Sequence, residues 1–172
     1  TPWTLPANVA IAVHPELEYN WVKVENEVYL IANGLLEAVA KDAKWESYEI
    51  VGSIKGEDAA GMTFTHPFID RTSLVVTADY VTLEQGTGCV HTAPGHGPDD
   101  FETGLRNNLP VLSPVNGAGK FTEEAGEFAG MDIHDAEVPI IKRLAACGAL
   151  LSKGSVRHQY AHCWRCKNPV IY

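Results

Sequence analysis

Short apolar runs recur along the chain, separated by turn-forming residues, and this pattern is typical of a protein built mainly from short strands. Two β-rich runs flank the polar tripeptide Glu25-Asn26-Glu27 and predict a hairpin. A further run ends at Thr92 and enters a loop rich in glycine and proline. The predicted strands are 10–13, 21–24, 28–31, 48–54, 62–68, 74–77, 80–83 and 89–92.

Three stretches have helical periodicity instead. We predict helices over 34–43, with Asn33 as the cap, over 98–108, and over 135–147, with Gly148 as the C-terminal stop. The glycine-rich stretch 117–130 is predicted to be a long loop. Because strands and helices do not alternate regularly, the fold class is α+β, with an irregular barrel-like sheet and a few flanking helices.

Composition limits the function classes. The 172 residues include 13 basic and 22 acidic ones, so the formal net charge is −9. This balance argues against broad binding of a nucleic-acid backbone, which needs clustered Lys and Arg, but it permits contact with one nucleotide end in a pocket. With 45% hydrophobic and 20% charged residues, the chain has the composition of a globular protein.

Targeting signals and cysteines indicate the compartment. No apolar run approaches the roughly 18 residues of a membrane helix, and the first residues lack the features of a signal peptide. The four cysteines are too few for a secreted disulfide scaffold. We therefore predict a cytoplasmic protein without membrane contact, in which Cys89 and Cys147 are core residues.

The composition changes near residue 157, where histidines and cysteines become frequent. We predict a main domain over 1–156 and a C-terminal segment over 157–172. The segment contains Cys163 and Cys166 in a Cys-x-x-Cys spacing, which is half of a tetrahedral zinc site. His158 and His162 are candidate further ligands.

The densest chemical segment is 86–101, with the sequence GTGCVHTAPGHGPDDF. His91 ends a predicted strand, and Asp100 lies in the first turn of the next helix, so a sharp turn could direct both at one pocket. The helix dipole favours a carboxylate there, and such a carboxylate suits a ligand ammonium group. In the simpler alternative, Asp99 and Asp100 only cap the helix and the histidines fill the loop.

A second segment, TPWTLPAN over 1–8, contains hydroxyl and amide groups that could orient a water or a ribose hydroxyl. The alternative is an extended terminal arm, which two prolines favour. The chain lacks a Gly-x-Ser-x-Gly elbow, a phosphate-binding Gly-Lys-Ser/Thr loop and a His-Glu-x-x-His motif. A hydrolase with this sequence is therefore expected to activate water.

Together, segments 1–8 and 86–101 resemble the editing domain of class I isoleucyl-tRNA synthetases. The first resembles the end of the family's threonine-rich peptide, and the second its other signature. The resemblance extends to AIAVHP (10–15), HPF (66–68) and HCWRC (162–166), and so covers essentially the whole chain. The family's threonine-rich peptide begins further upstream, so we expect part of it to be missing before Thr1.

The resemblance implies hydrolysis of valyl-tRNA formed in error on the isoleucine tRNA, and of valyl-adenylate. One missing methylene changes binding in a hydrophobic pocket too little to reject valine, so a second, smaller site admits valine for hydrolysis and excludes isoleucine. The implied partners are the 3′ end of the aminoacylated tRNA, its L-valine moiety and the remainder of an ATP-binding synthetase. The domain itself needs no cofactor, and zinc enters only in the full-length enzyme.

Site roles follow from the resemblance position by position. Asp100 is implied to bind the substrate ammonium group, and His91 to form the wall that excludes isoleucine. Thr1, Thr4 and Asn8 are implied to hold the terminal adenosine, the ester or the attacking water, with Asp100, Thr1 and Thr4 forming the catalytic set. Trp3 is implied to line the same pocket.

Three alternatives remain at this point, one of which is a small zinc-binding interaction domain built on residues 157–172. The chain could instead be an editing domain of the valyl or leucyl type, although those usually start with Thr-Arg-Pro and differ around Gly95–Gly97. It could also be a module that binds the aminoacyl end without hydrolysing it.

Overall fold

The computed structural model describes residues 1–172. Its strands are β1 (Ala10–Val13), β2 (Glu18–Val24), β3 (Glu27–Ala32), β4 (Glu49–Lys55), β5 (Thr63–Thr65), β6 (Thr72–Thr77) and β7 (Cys89–Thr92). Its α-helices are α1 (Leu36–Asp42), α2 (Gly56–Ala59), α3 (Pro98–Arg106) and α4 (Glu137–Ala146). Shorter 3₁₀ segments cover Pro2–Ala7, Asn33–Leu35, Pro94–His96 and Glu123–Phe128.

The strands form two sheets, one with the order β5-β6-β1-β7 and one with the order β3-β2-β4. The α+β class with few helices is therefore confirmed, but the strands do not close into a barrel. β1 pairs with β6 in parallel and with β7 in antiparallel orientation, which makes the first sheet mixed. The predicted hairpin is present as β2 and β3.

The main hydrophobic core lies between the two sheets and the first helix. Val13 and Val75 come from the first sheet, Val22 and Ile31 from the second, and Leu36 from α1. Tyr19 is fully buried in this core, and its hydroxyl donates a hydrogen bond to the Gly88 carbonyl oxygen at 2.5 Å. This bond fixes the turn that leads into β7.

The turn before β7 leaves no room for a side chain at Gly88. Its φ is +79°, and a Cβ there would lie 2.5 Å from the Ala32 Cβ. Glycine is the residue that adopts this conformation without a steric penalty, so the second sheet can approach β7 closely.

Four sequence predictions need correction. Residues 80–83 are not a strand, with Tyr80 in a turn and Leu83 in a bend, and the 117–130 stretch contains the Glu123–Phe128 3₁₀ segment. Asn33 does not cap a helix, because its Oδ1 accepts a hydrogen bond from Asn20 Nδ2 at 2.8 Å. Cys147 is exposed, since it follows the last turn of α4, whereas Cys89 packs against the main core as predicted.

The helices after β7 form as predicted. α3 begins at Pro98 after Gly97, and Asp99 and Asp100 lie in its first turn. α4 packs Ile140 against a second hydrophobic cluster that also contains Trp3. No helix is long and apolar enough to cross a membrane.

The turn from β4 into α2 yields a first testable prediction. A Cβ at Gly56 would lie 1.9 Å from the His14 carbonyl oxygen, a backbone atom that cannot move aside cheaply. We expect Gly56→Ala to lower the free energy of unfolding by about 2–3 kcal/mol, measured by urea denaturation. Gly117→Ala is the matched control, because a methyl group added there would meet no atom within 4 Å. Equal stability of both variants would contradict the close approach.

Candidate functional site

The sheet geometry brings three distant segments of the chain to one place. Ala10, at the start of β1, pairs with Leu74 near the start of β6 and with Thr92 at the end of β7. The residues before β1, those at the start of β6 and the loop after β7 therefore meet at the same end of the first sheet. Segments 1–8 and 86–101, which are far apart in sequence, are therefore adjacent in the fold.

His91 lies between two side chains of the N-terminal segment. Its Nε2 is 2.9 Å from Thr4 Oγ1, and its Nδ1 is 2.7 Å from Asn8 Nδ2. The Thr4 hydroxyl already donates to the Thr1 carbonyl oxygen at 2.9 Å, so it accepts from His91. The Asn8 amide nitrogen is a donor, because it also bonds the Ala10 carbonyl oxygen at 3.0 Å. His91 is therefore the neutral tautomer protonated on Nε2.

The surroundings of His91 disfavour its charged form. Burial lowers the pKa of His91 to about 4, and the positive N-terminus and the nearby His66 and His96 add to this effect. A second proton would also have to replace the hydrogen bond from Asn8 at Nδ1. At neutral pH the ring is uncharged, and both of its nitrogen atoms are occupied.

Asp100 approaches the same loop from α3. Its Oδ2 accepts a hydrogen bond from the Ala93 N–H at 2.9 Å, two residues after His91. Burial raises the pKa of Asp100, and the charge of the neighbouring Asp99 raises it further. Hydrogen bonds from the Ala93 amide and the Tyr80 hydroxyl lower it in part. A cation beside this carboxylate would lower its pKa, so the position suits an ammonium group.

The remaining predicted residues lie in the same N-terminal segment. Thr4 and Asn8 are buried, and their polar groups are directed at His91 and the backbone. Trp3 is 7% exposed and packs in the second cluster, with its ring edge-on to His96 at 5.0 Å between centroids. Thr1 is exposed. The structure thus gathers Thr4, Asn8 and His91 and places Trp3 mainly in the core.

A cleft of about 880 Å³ runs along β7. His91 lines it, together with the turn before β7, Tyr80 and the stretch 151–156, which follows α4. Asp100 is not among the residues that line this cleft. Lys153 is the only lysine or arginine in its wall.

The Cys-x-x-Cys pair lies in an exposed turn of the C-terminal segment. The Cys163 N–H donates to the Asn168 carbonyl oxygen and the Lys167 N–H to that of Cys163, each at 2.9 Å. The backbone N–H groups of Cys166 and Arg165 lower the pKa of the Cys163 thiol. No group of three or more His, Cys, Asp and Glu side chains is arranged to hold a metal.

The structure also shows residues around the site that the sequence did not single out. Arg71 Nη1 donates to the carbonyl oxygens of Pro6 and Asn8 at 2.8 and 2.9 Å. The Ser73 hydroxyl donates to Asn8 Oδ1. No local pattern marks these residues, because their importance depends on the pairing of β6 with β1.

Comparison with known proteins identifies the class. The crystal structure of GlLeuRS-CP1 aligns with a TM-score of 0.71 over 90% of this chain and 81% of that one, at 16% sequence identity. The fold is thus that of a synthetase CP1 domain. The family model described as "Leucyl-tRNA synthetase, editing domain" matches residues 9–145, and the chain belongs to this family. The resemblance found in the sequence motifs is confirmed.

Curated relatives give a finer comparison. All 172 residues align with isoleucine–tRNA ligases, at 59% identity for Carboxydothermus hydrogenoformans, 55% for Kosmotoga olearia and 53% for Fervidobacterium nodosum. The chain spans only 18–19% of the length of these proteins and corresponds to their editing region.

The low pKa of His91 yields a prediction on pH dependence. An unfolded histidine binds a proton near pH 6.5, whereas folded His91 does so only near pH 4. The unfolded state therefore binds more protons between these values, and the free energy of unfolding falls as the pH is lowered through this window. The expected contribution is on the order of 3 kcal/mol, fully lost by about pH 4.

Urea denaturation at several pH values measures this effect, with His91→Gln as the variant that lacks a titratable ring. The difference in pH dependence between the two proteins isolates His91 from the carboxylates. An NMR titration of the His91 ring with a midpoint near 6.5 would refute the buried neutral state.

Proposed function

We propose that the chain is the editing domain of an isoleucine–tRNA ligase and hydrolyses the ester bond of valyl-tRNA formed on the isoleucine tRNA. Valyl-adenylate is a second substrate of the same chemistry. The observation that carries this proposal is the neutral His91, fixed between Thr4 and Asn8 within a domain of this family. The relatives at 53–59% identity favour the isoleucyl over the leucyl or valyl type.

His91 forms a wall in this proposal and takes no proton from water. Its Nε2 proton is directed at Thr4, and its Nδ1 lone pair is covered by the Asn8 amide. A ring held at two points is also rigid, and a rigid wall is what a site needs to separate substrates that differ by one methylene. Thr4 and Asn8 contribute to the reaction through the position of His91.

Asp100 supplies the electrostatic part of recognition. The carboxylate lies in the first turn of α3, where the helix dipole favours an anion, and the Ala93 amide restricts its orientation. A free α-ammonium group distinguishes an aminoacyl ester from other esters, and pairing with Asp100 would place the ester carbonyl at a fixed distance.

Water is the nucleophile in the proposed reaction. Burial raises the pKa of the Cys89 thiol in the cleft to about 12, so this thiol is protonated and unreactive at neutral pH. An aminoacyl ester is already activated, and holding a water molecule against it supplies much of the needed acceleration. Thr1 lies beside the Thr4–His91 pair and is the proposed contact for this water or the ester, with Trp3 supporting the segment from the core.

The partners follow from the same proposal. A chain with a net charge of −9 is suited to receive one flexible 3′ end, while the remainder of the synthetase binds the body of the tRNA. The cytoplasm, where charged tRNA is used, is the proposed location.

Cys163 and Cys166 are proposed to bind zinc in the full-length enzyme. Their thiols share one turn, and backbone N–H groups favour the Cys163 thiolate, which is the form that binds zinc. Two further ligands would come from outside this chain. The metal would stabilise the C-terminal segment, and no reaction step depends on it.

Deacylation of valyl- and isoleucyl-tRNA, both charged on the isoleucine tRNA, tests the proposal. We expect the chain to hydrolyse the valyl ester selectively and Asp100→Ala to reduce kcat/KM by about 100-fold or more, since a charge-assisted hydrogen bond worth about 3 kcal/mol is lost. Asp99→Ala is the matched control, because this carboxylate is exposed in the same helical turn and it should retain activity.

Other outcomes have clear meanings. Selective hydrolysis of threonyl- or norvalyl-tRNA would show a valyl- or leucyl-type site. Tight binding of valyl-tRNA without hydrolysis, also within a full-length ligase, would show a binding module. Activity of Asp100→Ala equal to that of the unmodified chain would refute the role of Asp100.

His91→Ala tests the size limit separately. Removing the ring enlarges the site, so we expect isoleucyl-tRNA to be hydrolysed as well and the preference for valine to fall by about 10-fold or more. His134→Ala, which removes an exposed histidine outside the site, is the control. Unchanged discrimination in His91→Ala would mean that another group sets the limit.

A further inference from the structure

Ser73, near the start of β6, begins a run of hydrogen bonds that reaches the first residue of the chain. Its hydroxyl donates to Asn8 Oδ1, and Asn8 Nδ2 donates to His91 Nδ1. His91 Nε2 then donates to Thr4 Oγ1, whose proton goes to the Thr1 carbonyl oxygen. All four bonds have the same donor direction, so each polarises the next.

The donor direction of all four hydrogen bonds depends on the orientation of the Asn8 amide. A flipped amide would turn its oxygen toward the Ala10 carbonyl oxygen and the Nδ1 lone pair of His91, which are both acceptors. Ser73 opposes the flip because its proton needs the amide oxygen where it now lies. Both residues are buried, so water cannot readily replace either partner.

A second set of contacts holds the backbone of the same segment. Pro2 and Pro6 have no N–H to donate, so the 3₁₀ segment Pro2–Ala7 is weakly tied by its own hydrogen bonds. Arg71 Nη1 binds the carbonyl oxygens of Pro6 and Asn8, and His66 Nε2 binds that of Leu5 at 2.9 Å.

The hydrogen bonds from Arg71 hold the backbone through their geometry, and Arg71 does not pair with an acidic side chain. Arg71 forms no salt bridge, and burial lowers the pKa of its guanidinium group. Its two bonds go to neutral carbonyl oxygens on either side of Ala7. The connection between β5 and β6 thus fixes the backbone from Leu5 to Asn8, while Ser73 fixes the Asn8 side chain.

We propose that Ser73 and Arg71 are positioning residues of the editing site, which hold Asn8 so that His91 keeps one tautomer and one orientation. This proposal deepens the proposed function and rests on it where activity is concerned. Neither residue contacts the substrate, and both act through Asn8 and His91. The sequence places them about 65 residues from the segment that they hold.

The first test is spectroscopic and needs no substrate. In the unmodified chain, ¹⁵N NMR of the histidine rings should show His91 protonated on Nε2 only, with His91→Gln used for assignment. In Ser73→Ala only the Ala10 carbonyl oxygen still opposes the flip, so we expect a second population protonated on Nδ1. Thr77→Val is the control, because this hydroxyl on the same strand makes no side-chain hydrogen bond, and it should leave the His91 signal unchanged.

The second test is kinetic. We expect Ser73→Ala to lower kcat for valyl-tRNA by on the order of 10-fold with a smaller change in KM, because misplacement affects the reacting geometry most. Ser73→Thr keeps the hydroxyl and should restore both the rate and the single tautomer. Arg71→Met should also lower kcat, whereas Arg71→Lys, which keeps a donor, should recover part of it.

The outcomes separate this proposal from the proposed function. A folded Ser73→Ala with the His91 spectrum and rate of the unmodified chain would overturn the role of Ser73. A chain that lacks deacylase activity even within a full-length ligase, but whose tautomer still shifts in Ser73→Ala, would refute the function and keep the positioning role. Should Ser73→Ala fail to fold, Ser73→Cys, with similar size and a weaker donor, decides the same question.

Discussion

The paired hydrogen bonds to the His91 ring are the interaction on which the site depends. They determine that the imidazole is neutral, which nitrogen bears the proton and how the ring is oriented. Each of these properties follows from the hydrogen-bond partners of the ring, because the Asn8 amide nitrogen donates to it and the Thr4 hydroxyl oxygen accepts from it. The surrounding fold can be understood as the means of holding these two side chains still.

The mixed first sheet provides that support. A purely antiparallel arrangement would separate the start of β1 from the start of β6, whereas the parallel β1–β6 pair puts them side by side. The antiparallel β7 then brings the end of its own strand to the same place. Three chain segments therefore converge at this end of the first sheet.

Elements with local signals could be predicted from the sequence. The β2–β3 hairpin, α3 after Gly97-Pro98 and α4 before Gly148 all have patterns that need only neighbouring residues. The division into two sheets could not be predicted, because it depends on pairings between strands that lie far apart along the chain. The prediction of a strand over 80–83 was wrong for a related reason. Apolar and polar residues also alternate where a segment packs on a core without a strand partner, as Val81 does.

The candidate site divides in the same way. Motif resemblance named His91, Asp100, Thr4 and Asn8 as candidates, but it could not show that Thr4 and Asn8 both form hydrogen bonds to the His91 ring. It also placed Trp3 in the candidate pocket, and only the structure shows that this ring packs in the second hydrophobic cluster. No sequence pattern marked Arg71 or Ser73 as part of the site, because their hydrogen-bond partners lie about 65 residues away along the chain.

The hydrogen bonds to both ring nitrogens of His91 also affect which side chains of this chain can bind a metal ion. A neutral histidine is a strong ligand for zinc only when it has an accessible lone pair, and here that lone pair lies under the Asn8 amide at 2.7 Å. The thiols of Cys163 and Cys166, by contrast, lie in an exposed turn. The two thiols are therefore accessible to a metal ion, whereas the lone pair of the His91 ring is not.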